Sequence, residues 1–509
     1  MLSKIYTAVL HGIDARPVTV ETHLAQGLPS LSIVGLPDVM VREARERVRA
    51  AIINSGYTFP AKRITVNLAP AHSKKEGSHF DLPMAMGILA SMGVIPMDSL
   101  NKYAFLGELS LDGRINRVNG VLPLVIGLKE SGFHKIIIPI ENIKEGALVK
   151  GVKLYPAKDL CSLIYHFTNK EEISPFHSER SIPQQEIHFK EDYAEVKGQE
   201  SVKRTITVCC AGSHGLLLVG PPGAGKSMMA KRIPTILPDM TYEECLEVTK
   251  IYSVAGELSE ARPMITQRPF RAPHHTISGA SLAGGGSKPK PGEISLAHLG
   301  VLFLDEMPEF NRNVLELLRQ PLEDHMITIS RKEGSFTFPT DVMLVAASNP
   351  CKCGYFGDET HECTCTQTQI NQYRSKLSGP LLDRIDVHLE IFPVSYRELE
   401  GYETQVCKSS ADIRREVNEA RKIQLKRYKT EGILFNSQLT NRLIDKYCAL
   451  DADGLELIRL AFQRYAFSAR AHHKILKLAR TIADLAGVEQ IQAVHLAEAI
   501  RYRTLDKRS

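Results

Sequence analysis

No apolar run in the chain approaches the roughly 20 residues a membrane-spanning helix needs. The opening stretch MLSKIYTAVLHGID has only a brief apolar patch before His11 and Asp14, which reads against a secretory signal. The ten cysteines lack the even spacing of a disulfide framework: Cys209 and Cys210 are adjacent, and four others crowd into 351–365. That usage suits a reducing, cytoplasmic setting. There is no internal repeat and no low-complexity tract, which excludes solenoid and fibrous classes. There is also no strong excess of one charge, since the net is only +5.

What is present is 509 residues of ordinary globular composition, 43% hydrophobic and 24% charged, enough for about three domains. The charge is uneven. From Ser409 to Ser509 there are 19 Lys and Arg against 12 Asp and Glu, a net +7, which leaves the first 408 residues near −2. A basic C-terminal quarter suits phosphate backbones, although on charge alone a solvated helical surface explains it equally well.

Residues 1–166 mix short β-rich runs (ITVNLAP, KIIIPI) with helical stretches such as VREARERVRAAIINSG, an α/β or α+β pattern. Residues 167–192 are polar, with two prolines and little periodicity, and read as a linker. Over 193–395, buried strands (LLLVG, VLFLDE, VMLVAAS, VHLEIF) alternate with helices, which implies a parallel sheet. Over 405–509 only helical spacing remains, a small helical bundle.

The strongest local signal is Gly220-Pro221-Pro222-Gly223-Ala224-Gly225-Lys226-Ser227, which follows an apolar strand and opens a helix. Glycines let backbone N–H groups converge on phosphate oxygens at a helix N-terminus. Lys226 would reach the β- and γ-phosphates of ATP, and the Ser227 hydroxyl would ligate Mg²⁺. Downstream, VLFLDE is a buried strand ending in Asp305 and Glu306. Asp305 can hold the Mg²⁺ shell and Glu306 can act on the attacking water as general base. VMLVAASNP ends in Asn349, an amide placed to orient water. LSGPLLDRIDVHLEI puts Arg384 in a polar break, where a guanidinium could reach a neighbouring subunit's γ-phosphate. Singly, Asn349 and Arg384 could equally be local caps or ion pairs; their order along the chain carries the reading.

In order, GPPGAGKS, FRAPHHTISGASLAGGG, VLFLDE, AASNPC, LSGPLLDRIDVH and FSARAHHKILKLARTIADL resemble the ComM/YifB group of Mg-chelatase-like AAA+ ATPases, essentially end to end. The group is similar to magnesium-chelatase ATPase subunits and to replicative MCM helicases. The resemblance implies a homo-hexameric ring, and a DNA translocase or helicase that drives branch migration in recombination and natural transformation. Single-stranded and branched DNA and recombination proteins would then be partners, and a membrane would not. It makes Lys226 and Ser227 Walker A, Asp305 and Glu306 Walker B, Asn349 sensor 1 and Arg384 a trans arginine finger. Arg470 would be sensor 2, just inside a helix that Ser468 could cap. By the same resemblance, 193–395 is the AAA+ module and 405–509 its helical lid.

Two stretches are candidates for DNA contact. Arg262 to Gly292 carries Arg262, Arg268, Arg271, Lys288 and Lys290 without one acid, and its GGGSKPKPG segment should be a loop or hairpin tip. MITISRKEGSFTFPTDVML reads as two alternating strands whose turn holds Arg331 and Lys332. Cations on such tips suit a phosphate backbone followed without base readout, though solvated surface turns would look the same.

Cys351-Lys-Cys353 and, nine residues on, Cys363-Thr-Cys365, with His361 beside them, offer four thiolates for Zn²⁺. The C-x-C spacing is tighter than the usual C-x₂-C, and a metal-free loop stays open as the other reading. Four sulfurs would leave no open position, so the zinc would be structural.

KKEGSHFDLPMAMGILA followed by GELSLDGRINRVNGVLP resembles the Lon-protease fold shared with ribosomal-S5-like domains. His79 and Leu122 stand where Lon's serine and lysine would be, with Ser78 one place off, so a non-proteolytic scaffold or DNA-guiding ring is expected. A chelatase motor subunit, or an ATPase chaperone or adaptor without helicase activity, is the alternative to a helicase.

Overall fold

The computed structural model describes residues 2–176, 189–286, 289–331, 334–358, 361–394, 408–465 and 467–503. Lys288 and Lys332 therefore lie outside the described residues.

The N-terminal strands are β1 (Leu2–His11), β2 (Asp14–Ala25), β3 (Ser30–Val34), β4 (Arg63–Ala69) and β5 (Tyr103–Phe105), then the short pair β6 (Glu108–Leu109) and β7 (Ile115–Asn116), then β8 (Lys135–Pro139) and β9 (Lys153–Ala157). A mixed seven-stranded sheet runs β3-β4-β2-β1-β5-β8-β9, with β1 and β2 forming a long antiparallel hairpin. Alternation along β1 decides what lies on each face. Ile5 and Val9 pack under helices Val39–Asn54 and Asp81–Ser91. Ala8, Tyr6 and Leu10 pack under helix Val121–Glu130. Both faces are therefore covered at β1, whereas the edge strand β3 leaves Ser30, Ser32 and Val34 exposed.

The second sheet draws on β10 (Leu216–Val219) and β11 (Phe270–Arg271). The paired strands β12 (Gly284–Gly285) and β13 (Lys290–Pro291) stand outside it, followed by β14 (Val301–Leu304), the hairpin β15 (Met326–Arg331) and β16 (Gly334–Pro339), then β17 (Met343–Ser348) and β18 (Val387–Glu390). Its order is β11-β14-β17-β10-β18, and every pairing is parallel. The four apolar runs read from the sequence as buried strands are β10, β14, β17 and β18.

Leu216 and Leu218 face a core that also holds Val417, Leu443, Ile475 and Leu478, so the C-terminal helices continue the apolar core of one sheet face. Leu217, Leu302 and Leu344 face the opposite core, which includes Ile327, Ile329 and Phe338 of the hairpin. Glu244 joins the two regions: it is buried and accepts hydrogen bonds from both Arg268 (3.0 Å) and Arg421 (2.9 Å). Among the described residues, no helix is long and apolar enough to cross a membrane.

Candidate nucleotide site and its surroundings

Parallel strands bring their C-terminal ends together, and in open α/β sheets that edge is where ligands bind. β10 and β17 run in register from Leu216↔Val345 to Val219↔Ser348. The residues that follow, Gly220 and Asn349, are therefore neighbours, and the Gly220 N–H donates to Ser348 O at 3.2 Å. Gly223 and Gly225 have φ of 80° and 88°, a left-handed conformation that glycine adopts without strain, and helix Lys226–Arg232 begins at once.

The side chains converge as the motif requires. The Lys226 ammonium donates to Gly220 O (2.6 Å), Pro221 O (2.8 Å) and the Asn349 amide oxygen (3.1 Å). Burial lowers its pKa, and the carboxylates of Asp305 and Glu306 oppose that shift. The Ser227 hydroxyl donates to Asp305 Oδ2 at 2.7 Å. This pairs the two oxygen donors expected to share one Mg²⁺. Glu306 is exposed at the end of β14, with φ 49° and ψ 47°. A non-glycine residue held there costs on the order of 1 kcal/mol and is often found at functional sites. A left-handed phosphate cradle, a cation within it and a hydroxyl–carboxylate pair fit a Mg²⁺-bound nucleoside triphosphate.

Arg384 and Arg470 stand apart from this cluster. Arg384 donates to Arg319 O (3.1 Å), Pro380 O (2.6 Å) and the Glu323 carboxylate. Arg470 lies 3.6 Å from the same Glu323. Ser468 caps its helix by accepting from Ala471 N at 3.2 Å, as the sequence suggests. Nothing in the sequence around Glu323 marks it as the partner of both arginines.

The acid-free stretch 262–292 needs correcting as a set of available cations. Arg268 is buried, donating to Pro238 O, Leu299 O and Glu244. Arg271 makes a fork with Glu293 (2.6 and 2.7 Å) and reaches Glu257. Both find acids from outside the stretch, so they brace the fold. Lys290 and Arg331 remain exposed. Their two tips meet: Lys290 pairs in register with Gly285, and a Cβ on Gly285 would lie 3.2 Å from Arg331 Nη2. The two separate candidates form one patch, a proximity that sequence separation conceals. Packing of Ile327 and Ile329 against Leu282 and Ala283 seats one tip on the other.

The four cysteines converge as well. Their sulfurs all lie within 4.8 Å of one another. His361 sits beside Asp358 (3.6 Å) and stacks on Tyr355.

The sequence model of "Magnesium chelatase, subunit ChlI" matches residues 192–399. "Subunit ChlI of Mg-chelatase" matches 20–142, and the corresponding C-terminal model matches 407–503. The chain is 42% identical over 509 residues to Competence protein ComM of Haemophilus influenzae, covering 99% of this chain and 98% of that one. It is 41% identical over 508 residues to YifB of Escherichia coli, with the same coverage.

The chain belongs to the ComM/YifB family of Mg-chelatase-like AAA+ ATPases.

For a ComM/YifB-family chain, ATP and Mg²⁺ are the implied cofactors. A shorter similarity, 33% over 145 residues and 28% of the chain, is to Lon protease 2 of Bacillus subtilis, a quarter of whose length it covers. His79 and Leu122, the two positions that the sequence pattern sets against Lon's dyad, are packed groups. His79 is buried and hydrogen-bonded to Ala8 O (2.8 Å), and Leu122 is fully buried.

Proposed function

We propose that the chain is the subunit of a cytoplasmic homo-hexameric ATPase that moves on single-stranded and branched DNA and drives branch migration in homologous recombination, including the integration of DNA in natural transformation. One observation carries the reading. The Lys290–Arg331 patch sits at the tip of the β15–β16 hairpin, that hairpin runs on into β17, and β17 leads directly to Asn349 beside Lys226. A change at the phosphates thus has a short covalent path to exposed cations suited to a nucleic-acid backbone.

In this reading Lys226 and the N–H groups of 223–227 hold the triphosphate. Mg²⁺ on Ser227 and Asp305 would neutralise phosphate charge. Glu306 takes the proton of the attacking water, and the Asn349 amide orients that water. Arg384 and Arg470, which meet at Glu323, serve the phosphate loop of the next subunit.

The family models named for magnesium chelatase favour a second reading, a motor for metal insertion. ATP hydrolysis measured alone, with duplex DNA and with a four-way junction separates them. The proposal expects stimulation by DNA, strongest with the junction, and junction migration that needs hydrolysis. A chelatase motor would hydrolyse ATP indifferently to DNA, and an adaptor would migrate no junction.

A further inference from the structure

The cysteine cluster does not stand alone. Cys351 follows Asn349 by two residues, and between Ser348 and Gln367 the described residues form neither helix nor strand. A loop of that length normally has a function or an anchor. Its contact with the phosphate loop is close. Gly354 has φ 92°, and a Cβ there would lie 2.6 Å from Cδ and 2.7 Å from Cγ of Pro222. Glycine backbone is thus seated directly on the ring of a phosphate-loop proline. On its other side the loop leads into helix Gln367–Arg374, capped by Thr366, whose Arg374 donates to Pro350 O (3.4 Å) and lies 5.1 Å from the Phe356 ring.

We propose that Cys351, Cys353, Cys363 and Cys365 bind one structural zinc ion that clamps this loop onto Pro222, so that zinc and nucleotide each tighten the binding of the other. The geometry is near that of a bound ion. Sγ–Sγ separations are 3.3 Å (351–353), 3.5 Å (353–363) and 3.7 Å (351–363). A tetrahedron with Zn–S of about 2.3 Å has edges of about 3.8 Å, so these three sulfurs need to move apart only slightly, and Cys365 Sγ lies within 4.8 Å of each. The Cys353 N–H already donates to Cys365 Sγ at 3.4 Å, the type of outer hydrogen bond that steadies a thiolate ligand. Four sulfurs close the coordination shell, so the ion's role is to hold the loop. With the loop held, Gly354 restricts Pro222, and a nucleotide that orders Pro222 from the other side restricts Gly354. Coupling of this kind is reciprocal: nucleotide must raise zinc affinity by the factor by which zinc raises nucleotide affinity.

The inference rests on residues 220–227 binding nucleotide, so that is measured first, with a fluorescent ATP analogue and the full-length chain; failure there would count against the nucleotide reading itself. The test proper uses the reduced chain purified without chelator. Elemental analysis should find one zinc per chain. Competition with a zinc-binding dye should show tighter zinc retention with Mg²⁺ and a slowly hydrolysed ATP analogue, by about 5-fold or more. Cys353→Ser with Cys365→Ser should lose the zinc and weaken nucleotide binding by the same factor. Gly354→Ala leaves every sulfur in place, and should keep the zinc but lose the mutual effect. A folded wild-type chain without zinc overturns the site. Zinc held equally with and without nucleotide, or an unaltered mutual effect in Gly354→Ala, overturns the clamp.

Discussion

Arg384 and Arg470, from distant parts of the sequence, meet on one carboxylate, that of Glu323. The two guanidiniums therefore lie together, and in the proposed ring both should act on the same neighbour. Arg384→Ala and Arg470→Ala should each bind ATP yet hydrolyse it about 10³-fold more slowly, the usual scale for an arginine finger. Mixing either with Lys226→Ala should restore some activity. Mixing Arg384→Ala with Arg470→Ala should not, because every interface would lack one arginine. Recovery in that last mixture, measured as ATPase in rings of verified assembly, would mean that Arg470 serves its own subunit.

Lys226 and Glu306 should fail at different steps. Lys226→Ala removes the cation that bridges the loop carbonyls to Asn349, and nucleotide binding should fall in a direct titration. Glu306→Gln keeps the loop intact and should bind ATP normally while slowing turnover by about 10²-fold or more. A normal single-turnover rate in Glu306→Gln would remove it as the base.

The joined tips give a salt-dependent signature. Arg331→Ala with Lys290→Ala removes two phosphate contacts, so a plot of log binding constant against log salt should flatten by about 1.4 on single strands. Basal ATPase should persist, because neither side chain is among the hydrogen-bond partners of Lys226 or Ser227, while stimulation by DNA falls. An unchanged slope would leave the patch without a role in DNA binding.

Burial holds the His79 imidazole at about 4, against the hydrogen bond it donates to Ala8 O and the charge of Asp38, which pull upward. Unfolded, it takes a proton near 6.5. Its contribution to stability is therefore complete above about pH 6.5 and is lost as pH falls toward 4, about 3 kcal/mol in all. Denaturant titrations at pH 7 and pH 4.5 should show a smaller acid loss in His79→Gln than in wild type. Asp81, raised to about 6 by burial despite its pairing with Arg47, works in the opposite sense in both proteins and cancels in the comparison. The chain has no tryptophan, so a single introduced one would report without background.

The nucleotide site was legible because its parts are local: each is a strand end plus one or two residues, and parallel pairing does the rest. Ser468 as a cap and the turn between β15 and β16 were legible for the same reason. What escaped was pairing across distance. Arg268 and Arg271 look like free cations along the chain because Glu244 and Glu293 lie outside the acid-free stretch. Glu323 carries no pattern that announces two arginines. The contact of Gly354 with Pro222 depends on a left-handed backbone and a loop path that no periodicity encodes.

The β1–β2 turn touches the hairpin that carries Arg331. The His11 ring lies 5.0 Å from that of Phe336, and a Cβ on Gly12 would be 3.3 Å from Thr337 O. The tip cannot swing alone. In the proposed motor, a stroke delivered through β17 would also press on the turn that joins β1 and β2. In the proposed ring, each phosphate site would therefore work against its own seven-stranded sheet as well as against the tip that carries Arg331.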